Sequence, residues 1–317
     1  MRVSVIIATY NYGRFIQEAV DSVFAQDWPA EDLELIVVDD GSTDDTAARL
    51  APFMGRIKYL RQENSGQAEA FNNGVKLATG EIICFLDADD SWRPGKLRKT
   101  AAAFAEAADI GMVQHFMLDV DPAGTAMTQK LENRREFYSL ADFLEGRASF
   151  TGTSGLAFRR SFLEKLLPIP GELFYCADEY LYTAVLFYAR IYSINEVLGD
   201  KKIHGANWFA GTINDTKRLE NYIKVKTVIL GDLEARLAAA GIDIAETSAP
   251  LPLELAKIKV LYYSRTGDRK KALKVIRTEV LPGGGKRRLF TAATLALGVL
   301  HPLIYTWLHT LYSRLKA

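Results

Sequence analysis

The stretch EIICFLDADD, residues 81–90, is an apolar run that ends in three aspartates. Its length and its isoleucines are typical of a buried strand in an α/β sheet. Charged side chains are seldom placed directly behind such a strand unless they bind something or stabilise a turn. Asp87 and Asp89, separated by the small Ala88, present carboxylate oxygens, which hard divalent cations prefer as ligands. The pattern therefore predicts a strand that ends at a ligand-binding site.

The same acids also have a structural interpretation. Asp90 or Ser91 would cap a helix that begins near Pro94, because Asp and Ser side chains accept hydrogen bonds from the first N–H groups of a helix. A cap does not explain three acids immediately behind an apolar run. We therefore predict a cap at Asp90 and a ligand site at Asp87 and Asp89.

Apolar runs alternate with helical patterns through the N-terminal third of the chain. VSVIIATY (3–10), LELIVVDD (33–40) and IKYLRQ (57–62) read as strands, and each precedes a segment with helical spacing of apolar residues. Such alternation is typical of a parallel α/β sheet. The pattern is mixed from 111 to 215 and helical from 216 onward. The predicted fold is α/β, a mixed, mainly parallel sheet flanked by helices, with a C-terminal helical extension.

Composition limits the function further. The chain has 317 residues, 49% of them hydrophobic, which allows a large core and excludes a disordered protein. Lys plus Arg and Asp plus Glu are equal at 39 each, so no overall field attracts nucleic acid and no nucleic acid partner is expected. Cys84 and Cys176 lack metal-ligand spacing, which fits a reducing, cytoplasmic setting. The N-terminus begins with a strand pattern, so no secretory signal is expected.

Two acid pairs follow predicted strands. VVDD ends in Asp39 and Asp40, and FLDADD contains Asp87 and Asp89. In an open α/β sheet, ligands bind beyond the carboxyl ends of the strands, so we expect both pairs to face one crevice. The structural alternative for the first pair is a turn that starts the next helix.

The motifs VSVIIATYN, LIVVDDGSTDDT and NSGQAEAFNNGVKLATGEIICFLDADD follow one another in the order and spacing of a known family. Over its N-terminal third the chain resembles the family 2 inverting glycosyltransferases, which have the Rossmann-like GT-A fold and use nucleotide sugars. The resemblance implies a nucleotide-sugar half at 1–110 and an acceptor half at 111–215. It also implies a nucleotide-sugar site made of Ala8, Thr9, Tyr10, Asn11, Asp39, Asp40, Asp87 and Ala88.

Within that site the resemblance implies separate roles. Asp40 is the expected base contact of the two adjacent acids, and Asp87 is the expected ribose contact. Asp89 would ligate a Mn²⁺ or Mg²⁺ ion that bridges the diphosphate, and His204, in KKIHGANWF, would lie near that metal. A structural histidine is the alternative for His204. Many family members have an arginine where this chain has Phe71, so a cationic contact from that position is not expected.

The general base of an inverting transfer is expected in CADEYL, residues 176–181. In the family an acidic pair usually supplies this base, and alignment places its second acid at Asp178. Ala177 replaces the first acid, so Glu179 is a rival, and the structural alternative is that both acids only start a helix. The segment TGTSG is expected to form an acceptor-side wall, with a strand and a glycine bend as the alternative. This segment spans Thr151 to Gly155, and the acceptor-side residues expected within it are Thr153, Ser154 and Gly155.

The C-terminal segment carries a separate signal. Residues 289–313 contain no Asp, Glu, Lys or Arg, and basic residues flank them on both sides. The length is sufficient for a bilayer span, but histidines, threonines and Pro302 dilute the apolar character, and Trp307 suits an interface. We favour a membrane-associating segment over 287–317 that acts as a monotopic or re-entrant anchor. A helical hairpin packed on the core and a true span are the alternatives.

The sequence therefore predicts a metal-dependent inverting glycosyltransferase. It would move a sugar from a UDP-sugar to a hydroxyl of a lipid-linked or growing glycan in cell-surface polysaccharide synthesis. The expected location is the cytoplasmic face of the plasma membrane, with peripheral membrane contact. The glycosyltransferase domain is expected to span 1–215, followed by a helical region at 216–317. A receiver-like signalling module, which LIVVDD also resembles, and a catalytically degenerate glycan- or nucleotide-binding protein are the alternatives.

Overall fold

The structure is a computed structural model that describes residues 1–129, 131–205, 207, 215–282 and 286–300. The chain forms two compact units. The first contains Met1–Asp142 and Ala148–His204, and the second contains Phe143–Arg147 and Gly205–Ala317. The boundary between the units thus follows His204, whereas the sequence places the end of the first domain at 215.

The N-terminal part of the first unit is a parallel sheet. Its strand order is β3-β2-β1-β4, and every neighbouring pair is parallel. The four strands are β1 (Val3–Thr9), β2 (Leu33–Asp39), β3 (Lys58–Arg61) and β4 (Ile82–Asp87). The helices of this part are α1 (Gly13–Phe24), α2 (Thr46–Leu50), α3 (Gln67–Leu77) and α4 (Lys96–Glu106). The predicted alternation of strands and helices is confirmed.

The sheet continues beyond β4 with mixed strand directions. Strand β8 lies antiparallel between β4 and β6, and β9 runs parallel to β6. Two short strands, β5 and β7, pair antiparallel with β9. The bounds are β5 (Ser91–Trp92), β6 (Ile110–Val120), β7 (Phe137–Tyr138), β8 (Leu156–Arg159) and β9 (Arg190–Lys202). Helices here are α5 (Leu140–Leu144), α6 (Arg160–Leu163) and α7 (Ala177–Ala184). The predicted mixed, mainly parallel sheet is therefore confirmed.

The core of the first unit is built from the apolar runs themselves. The central strands β1, β2 and β4 are buried almost throughout, as expected for parallel strands covered on both faces. Phe71 on α3 is fully buried, and its ring lies 4.4 Å from that of Phe85 on β4. Phe71, which occupies the position where many family members have an arginine, is thus a core residue.

The described part of the second unit is helical. Its helices are α8 (Thr216–Ala239), α9 (Pro250–Arg265), α10 (Arg269–Val275), a π-helical turn (Ile276–Val280) and α11 (Lys286–Leu300). Buried side chains of α9, α10 and α11, among them Val260, Ala272 and Leu295, form its apolar core. Among the described helices, none has the length and apolar character needed to cross a bilayer. Residues 301–317 of the predicted membrane-associating segment lie outside the described residues.

Candidate functional site

The predicted site residues of the first half meet at one edge of the sheet. Strands β1, β2 and β4 are parallel neighbours, so their carboxyl ends lie side by side. Thr9 pairs with Asp39 in the register of β1 and β2, and Ala8 pairs with Asp87 in the register of β1 and β4. Both acid pairs therefore lie at the edge of the sheet where open α/β sheets bind ligands, and that they face one crevice stays a prediction.

The turn after β1 is held by Asn11. This residue has a left-handed backbone, with φ of 60°, which Asn tolerates better than most residues. Its side-chain oxygen accepts hydrogen bonds from the backbone N–H groups of Thr43 (2.7 Å) and Asp44 (3.3 Å). Thr9 is buried, whereas Tyr10 is 42% exposed. Asn11 therefore connects two of the loops at the sheet edge, and Tyr10 is the accessible side chain between them.

Asp39 and Asp40 are both buried and accept hydrogen bonds from their own loops. Asp39 accepts from the Ser42 N–H (2.7 Å) and from the Tyr59 hydroxyl (2.7 Å). Asp40 accepts from Gln62 Nε2 and from the N–H groups of Ser65 and Gly66, each at 2.8 Å. Burial and the Asp39 hydrogen bond raise the pKa of Tyr59 to about 12. Both carboxylates thus stabilise the loops between β2, β3 and α3.

The acidic loop after β4 is tied to distant parts of the chain. The Asp87 N–H donates to Ser154 Oγ at 3.1 Å, and Ser154 Oγ donates to Asp90 Oδ2 at 2.6 Å. Asp90 Oδ1 accepts from the backbone N–H of Lys202 at 3.1 Å. Ala88 is buried and packs in the core cluster. Ser154 and Asp90 therefore fix the loop against β8 and β9.

This arrangement overturns the predicted helix cap. Helix α4 begins at Lys96, and Gly95 occupies its N-cap position with a left-handed backbone and no side-chain hydrogen bond. Asp90 is 5% exposed and bonds to Ser154 and Lys202 instead. The prediction was wrong because the hydrogen-bond partners of Asp90 lie far away in sequence. A local capping pattern contains no information about such partners.

The acidic loop holds carboxylates that repel one another. Burial, followed by the nearby charges of Asp90, Asp89 and Asp178, raises the pKa of Asp87 well above its ordinary value. Burial and the charge of Asp89 raise the pKa of Asp90 to about 7. Lys201 opposes both shifts, because a nearby cation favours the ionised carboxylates. The site therefore has a local excess of negative charge that a bound cation would relieve.

Asp89 and His204, the two predicted metal-site residues, are in contact. His204 Nε2 lies 3.0 Å from Asp89 Oδ2, and the histidine side chain is 1% exposed. The Phe15 ring stacks on the imidazole with 4.5 Å between centroids, and Tyr12 approaches it edge-on at 6.0 Å. Within the described ranges, no group of three or more His, Cys, Asp or Glu side chains converges as a complete metal site.

Tyr12 is a site residue that the sequence reasoning missed. Its ring lies beside His204, and burial followed by the charges of Asp89, Asp87 and Asp90 raises the pKa of its hydroxyl. The hydroxyl is therefore close enough to the acidic loop for the charges of these aspartates to act on it. The available signal was its position just after β1, because ligands bind beyond the carboxyl ends of strands in open α/β sheets.

Asp178 joins helix α7 to the segment around Thr153. Its Oδ2 accepts from the N–H (3.1 Å) and from the hydroxyl (3.2 Å) of Thr153, and its Oδ1 accepts from the Glu179 N–H at 2.9 Å. Asp178 is partly exposed, whereas Glu179 is 8% exposed. Burial raises the pKa of Asp178, and these hydrogen bonds together with Lys201 counteract the shift. Asp178 and Asp87 are close enough for their charges to interact.

A cavity of about 490 Å³ lies next to these carboxylates. Its wall includes Asp87, Asp90 and the predicted acceptor-side residues Thr153 and Ser154. These last two belong to a short 3₁₀ turn, Thr153–Gly155, rather than to a strand. A Cβ at Gly155 would lie 2.5 Å from Thr151 Cγ2 and 2.9 Å from the His115 carbonyl oxygen, so only glycine fits there. Gly155 shapes the turn without lining the cavity.

Further residues line the same cavity and were not predicted. They come from β6, β9 and the segments beside them, and among them are Phe116, Asp119, Glu132, Arg134, Phe150 and Lys201. Lys201 lies on β9, close enough to lower the pKa values of Asp87, Asp90 and Asp178. The cavity thus combines an acidic end with aromatic and cationic side chains, which is typical of a site for a polar ligand.

The chain is similar to proteins of one family. Residues 4–167 match the family model described as glycosyl transferase family 2. An uncharacterized glycosyltransferase of Nostoc sp. is 37% identical over 217 residues, which are 65% of this chain and 66% of that protein. The match to a curated relative from Bacillus subtilis covers 56% of that protein. The chain therefore spans two thirds or less of the length of these relatives.

Two solved structures share the fold. Staphylococcus aureus TarS 1-349 in complex with UDP-GlcNAc superposes with a TM-score of 0.65 at 18% identity, covering 98% of this chain and 92% of that one. The mannosyltransferase PcManGT from Pyrobaculum calidifontis, in complex with GDP-Man and Mn²⁺, superposes with a TM-score of 0.58 at 21% identity, covering 96% and 82%. At these identities the likeness establishes the architecture of the chain.

Proposed function

Because the chain belongs to glycosyl transferase family 2 and has the GT-A fold, we propose that it transfers a sugar from a nucleotide sugar to an acceptor hydroxyl with inversion. The observation that carries the proposal is the position of Asp178. This partly exposed carboxylate is bonded to the wall of the cavity, and its charge acts on Asp87 at the end of β4. An inverting transfer requires a base close to the leaving-group site, and Asp178 is bonded to Thr153, which lines the same cavity as Asp87.

The nucleotide is proposed to lie against the carboxyl ends of β1, β2 and β4. Its site is formed by Ala8, Thr9, Tyr10, Asn11, Asp39, Asp40, Asp87 and Ala88. A carboxylate has about four acceptor positions, and Asp40 uses three of them within the chain, so it retains one for the base. Asp39 is fully buried and acts by holding its loop. Tyr10 is accessible and suited to pack against the base.

Asp89 and His204 would hold a Mn²⁺ or Mg²⁺ ion. The residues fit this role, because such ions bind proteins through one or two side chains and take further oxygens from substrate phosphates and water. The raised pKa values of Asp87 and Asp90 mark a site where a cation would relieve repulsion. When bound, the ion supplies Lewis-acid stabilisation of the charge on the departing diphosphate. Tyr12 and Phe15 hold His204 in position beside Asp89.

Asp178 is proposed to accept the proton of the acceptor hydroxyl as this oxygen attacks the sugar. The Thr153 and Glu179 hydrogen bonds orient the carboxylate and favour its ionised form. Glu179, the rival, is more buried, which supports Asp178 as the base. Thr153 and Ser154 form the acceptor-side wall next to it.

The acceptor is proposed to be a lipid-linked or growing glycan of the cell surface, reached at the cytoplasmic face of the plasma membrane. Support comes from helix α11, which packs Ala292 and Leu295 into the second unit's core while Phe290 is 70% exposed and Leu297 48% exposed. Exposed apolar side chains next to basic residues suit peripheral contact with an anionic membrane. No nucleic acid partner is proposed.

Liposome sedimentation tests the membrane contact. The full chain should sediment with liposomes that contain anionic lipid, and Phe290→Glu should reduce the bound fraction, because it replaces by a charge the most exposed large apolar side chain among the described residues. The matched control is Leu273→Glu, at a residue on α10 that is 45% exposed. Equal binding of the full chain and Phe290→Glu would contradict the proposed contact.

A donor screen tests the function itself. UDP-, GDP- and dTDP-sugars are incubated with the protein and Mn²⁺ or Mg²⁺, and the released nucleotide is measured. We expect the largest release from a UDP-sugar. Preference for GDP or dTDP would overturn the choice of base, and absence of release from every donor would favour the degenerate binding protein. Family membership leaves the receiver-like alternative without support.

A further inference from the structure

Arg134 lines the cavity together with Asp119 and Glu132, and it lies outside the acidic loop that follows β4. Its backbone is fixed, because the Arg134 N–H donates to Asn195 Oδ1 (2.8 Å) and the Arg134 carbonyl accepts from Asn195 Nδ2 (3.0 Å). Its guanidinium carbon lies 4.6 Å from the centre of the Phe116 ring, which also lines the cavity. The cationic group is thus held in place by contacts on both its backbone and its side chain.

The guanidinium uses few of its hydrogen-bond donors within the chain. An arginine side chain has five N–H groups. Nη2 donates to the Phe150 carbonyl at 3.2 Å, and Nη1 makes a longer contact of 3.5 Å with the His115 carbonyl. Across the ranges that the structure describes, no carboxylate forms a salt bridge with Arg134. The remaining N–H groups are therefore available to a group in the cavity.

The charge of Arg134 is incompletely compensated. Burial lowers the pKa of its guanidinium, because a desolvated cation is less stable than one in water. The adjacent Arg135, in contrast, forms a salt bridge with Asp142 (2.8 Å). Arg134 is partly buried, and a partly desolvated cation without a counter-charge gains more from pairing with a ligand anion than an exposed one does. The side chain is therefore suited to bind an anion that enters the cavity.

We propose that Arg134 binds an anionic group, a carboxylate or a phosphate, of the acceptor substrate. This inference rests on the proposed function, since it assigns the Arg134 wall to the acceptor. The wall is continuous with the proposed acceptor side, because Phe150, which accepts from Arg134, lies three residues before Thr153, which donates to the proposed base. Lys201 provides a second cation on the same cavity. The planar guanidinium fits carboxylate and phosphate oxygens in pairs, which selects these groups over neutral ones.

The test uses inorganic phosphate and acetate as probes of the full-length protein. UDP and Mg²⁺ are present at saturation, so the donor's own anion site is filled. Phosphate binding is followed by ³¹P NMR and acetate binding by ¹H saturation transfer. We expect Arg134→Gln to weaken binding of the preferred probe about tenfold or more, because it removes charge-assisted hydrogen bonds. Tighter binding of phosphate would identify the acceptor's anionic group as a phosphate, and tighter binding of acetate would identify it as a carboxylate.

Arg135→Gln is the matched control, because Arg135 is the adjacent arginine and its side chain is 56% exposed. It should leave probe binding unchanged, and both variants should bind UDP as the wild type does. If Arg134→Gln fails to fold, Arg134→Lys retains the charge without the planar fork and should weaken probe binding by a smaller factor. The inference is wrong if neither probe binds the wild type, or if the folded Arg134 variant binds both probes as the wild type does. Because the titration requires no turnover, its failure is distinct from a failure of the donor screen.

Discussion

Thr153 donates two hydrogen bonds to Asp178 Oδ2, one from its backbone N–H at 3.1 Å and one from its hydroxyl at 3.2 Å. This pair connects helix α7 to the turn that lines the cavity. It also stabilises a carboxylate that burial alone would leave protonated at higher pH. The proposed base is therefore positioned and tuned by the segment that forms the acceptor-side wall.

The pH dependence of nucleotide release should respond to Lys201. The pKa of Asp178 is raised by burial and lowered by Lys201, and a base must be deprotonated to act. Activity is therefore lost as the pH falls through the pKa that Asp178 has in the folded protein. Lys201→Met removes the cation that favours the ionised form, so the acid limb of kcat/KM should move to higher pH.

The control for this shift is Lys99→Met, because Lys99 forms a salt bridge with Glu196 and is not among the main groups that shift the pKa of Asp178. It should retain the wild-type acid limb. An acid limb that stays in place in Lys201→Met, or moves to lower pH, would contradict the assignment of the limb to Asp178 and its carboxylate neighbours.

Asp89→Asn should weaken UDP binding mainly when a divalent ion is present. The carboxylate is proposed to bind the nucleotide through the metal, so its loss should reduce affinity in Mn²⁺ by on the order of tenfold or more. In EDTA the wild type and the variant should bind UDP alike. Isothermal titration with and without Mn²⁺ measures both. Equal affinities in Mn²⁺ would remove Asp89 from the metal site.

Ser154→Ala should destabilise the first unit. Ser154 Oγ accepts from the Asp87 N–H and donates to Asp90, and the serine is 1% exposed. Removing it leaves a buried donor and a buried acceptor without their partner, which costs about 1–3 kcal/mol. Urea unfolding measures the change. Ser149→Ala, at an exposed serine that also lines the cavity, is the control and should be close to neutral.

The parts of the fold that the sequence predicts well are those with local signals. The strands β1, β2 and β4 end close to the predicted positions. Buried parallel strands are nearly unbroken runs of hydrophobic residues, and in β2 and β4 acidic residues mark the end of the run. The family motifs lie in the same segments, which explains why fold and family are both evident from the residues alone. Parallel neighbours then bring those acids to one edge.

The parts that the sequence cannot predict depend on contacts between distant residues. Asp90 matches a helix cap locally, but its partners Ser154 and Lys202 are 64 and 112 residues away. Arg134 has no motif around it, and its role emerges only from the cavity that β6 and the segment at Phe150 form. The sequence leaves Asp178 and Glu179 as rivals because they are adjacent, and only burial separates them.

The most direct test of the central claim is the rate of nucleotide release by Asp178→Asn, compared with Glu179→Gln. Asn retains the size of the side chain but cannot take a proton, so we expect the rate to fall about 10²- to 10⁴-fold in Asp178→Asn. UDP affinity in Mn²⁺ and the melting temperature should stay near those of the wild type. Glu179→Gln should keep most of the activity. Loss of release in Glu179→Gln with an active Asp178→Asn would make Glu179 the base, and full activity in both variants would contradict the account of this site.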